Sequence, residues 1–77
     1  MITITEAAIK DKNGKIYTGK HHHLIFRKMP RELIKNSIQG FMTSEEKFVS
    51  RQEAAKIAFI AGQIPKLKWK LFSEDLD

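Results

Sequence analysis

Residues 50–62 carry the feature that most narrows the possible folds. Ser50-Arg51-Gln52-Glu53 has a serine and a glutamate three residues apart, the spacing at which each side chain satisfies an orphaned backbone amide at a helix start. Ala54, Ile57, Ala58 and Ala61 then recur at helical intervals as one apolar stripe, and Gly62 supplies the stop. Three alanines on that stripe let the helix approach a sheet closely. The remaining segments must therefore supply the sheet.

Period-2 patterns occur where strands are needed. Residues 2–9 alternate, with Ile2, Ile4 and Glu6 on one side and Thr3 and Thr5 on the other. Asp11-Lys12-Asn13-Gly14 has turn chemistry and leads into Lys15-Ile16-Tyr17-Thr18, so the two runs read as a hairpin ended by Gly19. Phe41-Met42-Thr43 and Lys47-Phe48-Val49 flank Ser44-Glu45-Glu46 as a second hairpin. Residues 66–72 alternate again, predicting a strand with Leu67, Trp69 and Leu71 in the core and Lys66, Lys68 and Lys70 in water. Residues 21–29 fit either period. The spacing of His22, Ile25, Phe26 and Met29 favours a short helix ending before Pro30. Pro30 then opens a second short helix through Leu33, Ile34 and Ile38, closed by Gly40. The expected class is α+β: a small antiparallel sheet of hairpins packed against a short capped helix.

Seventy-seven residues make a single domain, residues 1–77. A chain this short buries only about 60% of its unfolded surface. It has no cysteine, which excludes disulfides and thiolate metal sites. Oligomerisation is the remaining route to a stable small core, so a homo-oligomer is expected. An apolar fraction of 42% with 30% charged residues is that of a folded domain rather than a disordered one. The N-terminus has no basic region ahead of an apolar run, and nothing approaches the length of a membrane span. A soluble cytoplasmic protein without membrane contact is expected.

The formal charge of +5 directs attention to anions. His21-His22-His23 lacks the spacing of helical or strand metal ligands, and adjacent histidines do not oppose each other across a substrate as acid and base. Neither a metal site nor a catalytic residue is expected. Lys20, His21 and His22 precede a predicted helix, where amides and dipole favour an anion. Two readings of the run stay open: a phosphate pocket, or one core or capping histidine beside solvated neighbours. The lysines at 66, 68 and 70 would stand roughly 6.6 Å apart on a strand, a spacing suited to phosphates, although lysines on an edge strand also deter sheet-to-sheet association. Arg51, in a first helical turn, opposes the dipole. There it serves either to grip an anion with the helix amides or to pair with Glu53 or the acidic tail Ser73-Glu74-Asp75-Leu76-Asp77.

Several separated motifs occur together. They are Ala7-Ala8-Ile9-Lys10, Gly14-Lys15-Ile16-Tyr17-Thr18-Gly19 with His21-His22, and Gly40-Phe41-Met42-Thr43. Phe48-Val49-Ser50-Arg51-Gln52-Glu53-Ala54-Ala55-Lys56-Ile57-Ala58, Ala61-Gly62-Gln63-Ile64 and Leu71-Phe72-Ser73-Glu74-Asp75-Leu76 follow. This order resembles a family of small phage-encoded proteins with a basic-His-His motif, a GF…FVxRxEAAxIAxxAGQI core and an SEDL ending. It is similar to the Thoeris anti-defence sponges, which bind cyclic ADP-ribose-type signals or cyclic oligonucleotides without cleaving them. The resemblance implies a non-enzymatic phage protein, without cofactor, that sequesters a cyclic nucleotide immune signal in the host cytoplasm. Its motif-matching positions are His21, His22, Arg51, Gln63, Ser73, Glu74 and Asp75, and with Lys20 these are the expected ligand-binding residues. The alternative from a different class is a nucleic-acid-binding or effector-binding inhibitor of a bacterial defence complex, working through the lysines.

Overall fold

The computed structural model describes residues 1–76; Asp77, the end of the acidic tail, lies outside the described residues. Strands β1 (Ile4–Lys10), β2 (Ile16–Gly19), β3 (Ile38–Thr43) and β4 (Phe48–Ser50) form one antiparallel sheet in the order β2-β1-β3-β4. Helices α1 (His22–Phe26), α2 (Arg31–Ile34) and α3 (Arg51–Ile60) complete the α+β fold, with a 3-10 turn at Ser73–Leu76.

Both expected hairpins form. In the first, the Asp11 carboxylate accepts from the amides of Asn13 (2.8 Å) and Lys15 (3.0 Å) and from the Tyr17 hydroxyl (3.2 Å). Gly14 takes the left-handed conformation there, φ 85°. In the second, the Thr43 hydroxyl accepts from the amides of Glu45 and Lys47, and Glu46 adopts φ 61°. A side chain at that φ is strained. Glu46→Gly should therefore raise stability by about 0.5–1 kcal/mol, read as a higher urea midpoint at unchanged slope. A lower midpoint would refute this.

The face assignment of β1 needs correction. The register slips between Ile4 and Glu6 opposite β3, and such a bulge shifts which residues face inward. Ile4, Ala7 and Ile9 are buried, whereas Glu6 and Ile2 are exposed.

The helix expected through Ile38 stops at Ile34, where the Ser37 hydroxyl donates to the Ile34 carbonyl at 2.6 Å. Ile38 starts β3 instead. Gly40 is therefore a strand residue rather than a helix stop. A Cβ there would collide with the Val49 carbonyl and lie 2.6 Å from Phe48 Cζ. Pairing with β1 on one side and β4 on the other outweighs the local helical spacing.

The strand expected at residues 66–72 is absent. The segment is irregular, with Leu67 58% and Trp69 77% exposed, so Trp69 is not a core residue. Alternation makes a strand only where a partner ladder exists. Here the buried anchors Ile64 and Leu71 hold the ends, and the Leu71 amide donates to the Arg51 carbonyl at the start of α3. The lysines at 66, 68 and 70 thus do not form one strand face.

Helix α3 starts and stops as its serine and glycine predict, but its buried stripe includes Ala55, while Ile57 and Ala61 are only half-buried. The Ser50 hydroxyl accepts from the Glu53 amide at 3.1 Å, and Gly62, at φ 76°, follows the last turn. Ala54, Ala55 and Ala58 lie fully buried in one core with Phe41, Ile9, Ile25 and Leu71. Helix α1 sends His22 and Ile25 inward, with Met29 buried just beyond it, as the spacing predicts. The opposite sheet face carries Ile16, Ile38, Met42 and Phe48, with the Lys10 ammonium 5.6 Å from the Phe48 ring centre. Ile38 is 58% exposed there.

Candidate functional site

Arg51 forms the centre of the charged cluster. Its Nη2 donates to Gln39 Oε1 at 2.6 Å, and its guanidinium carbon lies 5.0 Å from the centre of the Phe72 ring. Both contacts are with neutral groups. The side chain is half-buried, its Nε has no hydrogen-bond partner, and among the described residues no carboxylate lies at ion-pair distance from it. The pairing with Glu53 or the tail that the sequence allowed is not made by any described residue. A cation oriented by an amide and an aromatic face keeps its attraction for an incoming anion.

The histidines divide their roles. His22 is buried; its Nε2 donates to the Gly40 carbonyl at 2.8 Å and its ring meets Phe41 edge-to-face at 5.0 Å. That is the core reading of one histidine. His21 is half-buried at the start of α1, its ring stacked on His23 at 5.5 Å. Burial holds the His22 pKa below the ordinary 6.5, and the Arg51 charge pushes the same way against the Gly40 carbonyl and Glu74. Glu74 is exposed. Its own backbone amide and the Ser73 hydroxyl (3.2 Å) donate to it, and with the nearby His21 and His22 they hold its pKa below the usual carboxylate value despite some desolvation.

A depressed imidazole pKa has a definite consequence for stability. The unfolded chain takes up the His22 proton near pH 6.5, while the folded chain resists it to lower pH. The contribution of His22 is thus complete above about pH 6.5 and is lost as pH falls from there toward the lower folded-state value. His22→Gln should flatten the stability profile between about pH 7 and pH 5, measured by urea denaturation at each pH. An unchanged slope would refute the assignment.

The structure therefore brings together His21, His22, Arg51, Ser73 and Glu74, and it adds Gln39 and Phe72, which the sequence reading did not select. Phe72 was legible as the outward neighbour of buried Leu71. Gln39 was hidden because its segment reads as helix. The other expected residues lie elsewhere. Lys20 is exposed after β2. Gln63 clamps the edge of β1, accepting from the Ile4 amide and donating to the Ile4 carbonyl, both at 2.8 Å. Asp75 takes a salt bridge from Lys68 at 2.6 Å and accepts from the Phe72 amide at 2.9 Å. Among the described residues no group of three or more metal-ligating side chains is placed to hold an ion, and no helix is long and apolar enough to cross a membrane.

Comparison with known proteins bears on origin rather than chemistry. No curated protein and no solved structure matches the chain. A family model described as "Phage T4 y16D protein" matches residues 3–77, nearly the whole sequence. A small phage protein was expected and is found, although the match does not bear on the resemblance to the Thoeris sponges; the chain belongs to the phage T4 y16D protein family.

Proposed function

We propose that this phage protein binds a phosphate-bearing cyclic nucleotide signal, of the cyclic ADP-ribose or cyclic oligonucleotide type, and sequesters it in the host cytoplasm without chemistry. The observation that carries this reading is the half-buried Arg51 guanidinium, held by Gln39 and Phe72 and unneutralised by any described carboxylate. A phosphate would meet that charge, and Phe72, 46% exposed, offers a base an aromatic surface. His22 supports the site from beneath through Gly40 and Phe41 rather than as an acid or base. The uncovered sheet face with Ile16 and Ile38 supports assembly into a homo-oligomer. Light scattering should then give a mass above the 8.9 kDa of one chain.

The test is a thermal-shift panel of cyclic nucleotides and ADP-ribose derivatives. A ligand at 100 times its dissociation constant stabilises the fold by about 2.7 kcal/mol, a rise of roughly 10–20 °C for a domain this size. Arg51→Ala should abolish that rise while moving the melting temperature of the ligand-free protein little. The ligand released by heating should be chemically intact. Recovery of a cleaved product at more than one turnover per chain would overturn sequestration. An unaltered shift in Arg51→Ala would overturn the site.

A further inference from the structure

We infer that the loop of residues 65–70 and the adjoining side of α3 form a binding groove for single-stranded nucleic acid, with Trp69 as its base-stacking platform. The groove, about 330 Å³, is lined by Gln52, Lys56, Leu67, Lys68 and Trp69 and shares no residue with the Arg51 cluster. Trp69 is 77% exposed and Leu67 58%, on a segment whose ends are nonetheless fixed. Ile64 and Leu71 are buried, the Leu71 amide is bonded to the Arg51 carbonyl, and Lys68 is tied to Asp75 at 2.6 Å. The indole is thus presented to solvent by an anchored loop.

The chemistry around it selects the occupant. Lys56 faces the groove from α3, Lys68 and Lys70 flank Trp69 on the loop, and Lys66 stands exposed earlier in it. Of these lysines, Asp75 pairs with Lys68 among the described residues. A single aromatic face set among cations suits a stacked base with phosphates on either side, and stacking requires bases that are not already paired. Phosphate contacts make such binding depend steeply on salt. A duplex offers the same charge with its base faces hidden.

Trp69 is the sole tryptophan, so intrinsic fluorescence reads the platform directly. The probe is an oligothymidylate of about a dozen nucleotides, titrated into the full chain at low and rising salt. Saturable quenching is expected, with affinity falling linearly in log–log salt. Trp69→Leu should weaken binding of the labelled oligonucleotide, followed by anisotropy, by roughly tenfold with the melting temperature unchanged. Lys56→Ala should make the salt slope shallower by about one, and a duplex of equal length should bind at least roughly tenfold more weakly. No quenching at low salt, equal affinity for the duplex, or full affinity in Trp69→Leu would each overturn the inference. Emission that shifts with protein concentration alone would also overturn it, because a second copy would then occupy the groove.

Discussion

Gly40→Ala should destabilise the fold by about 4 kcal/mol or more, a third or more of the stability of a domain this size. The added Cβ points at the Val49 carbonyl of the edge strand β4 and at the Phe48 ring. A ring can rotate away; a backbone carbonyl held in a ladder cannot. Relief requires separating β3 from β4, and it also displaces the Gly40 carbonyl that receives the His22 hydrogen bond. At roughly 0.05–0.15 kcal/mol per residue, a domain of this size has about 4–12 kcal/mol of stability in total. Backbone overlap combined with a broken buried hydrogen bond costs about 4 kcal/mol or more. Far-UV circular dichroism and amide dispersion in a proton–nitrogen spectrum would report the loss. Adding Phe48→Ala should not restore stability, because the carbonyl remains. A melting temperature within a few degrees of the parent would refute the steric account.

Phe41→Ala is expected to have the second-largest effect, about 3–5 kcal/mol. Phe41 is the largest fully buried side chain, and its ring contacts the His22 imidazole. Around it stand three buried alanines of α3, which have no side-chain length with which to fill the space. The cavity would therefore persist, and its cost adds to the lost transfer free energy. The melting temperature should fall by roughly 15–30 °C. Phe41→Leu should lose less than half as much, since it fills most of the volume. Equal losses in the two variants would indicate that the ring geometry with His22, rather than volume, is decisive.

The site was partly legible for the same reason that α3 was. Arg51 follows a capping serine, so its position at a helix start could be read directly from Ser50 and Glu53. Its partners could not. Gln39 and Phe72 lie 12 residues before and 21 residues after it, and only the pairing of β3 with β4 and the return of Leu71 to the α3 start bring them together. Gln63 and Asp75 occur within recognisable motifs, yet their side chains are occupied in fixing β1 and the C-terminal turn. A motif specifies residues without separating those that build a fold from those that meet a ligand.

The sequence by itself determined the elements whose signals are local. These are α3 with its serine cap and glycine stop, both hairpin turns, and the inward face of α1, each decided by hydrogen bonds and apolar spacing within a few residues. Tertiary structure alone decided the rest. It converted Ile38–Gly40 from helix to strand, because β1 and β4 offered a ladder on both sides and left no room for a Cβ. It denied residues 66–72 a strand, because buried Ile64 and Leu71 and the Leu71–Arg51 hydrogen bond tie the segment to the start of α3 rather than along a sheet edge, and so turned Trp69 from core to surface. Alternation states which residues are able to share a face; whether that face meets a sheet or water depends on chain segments far away in sequence.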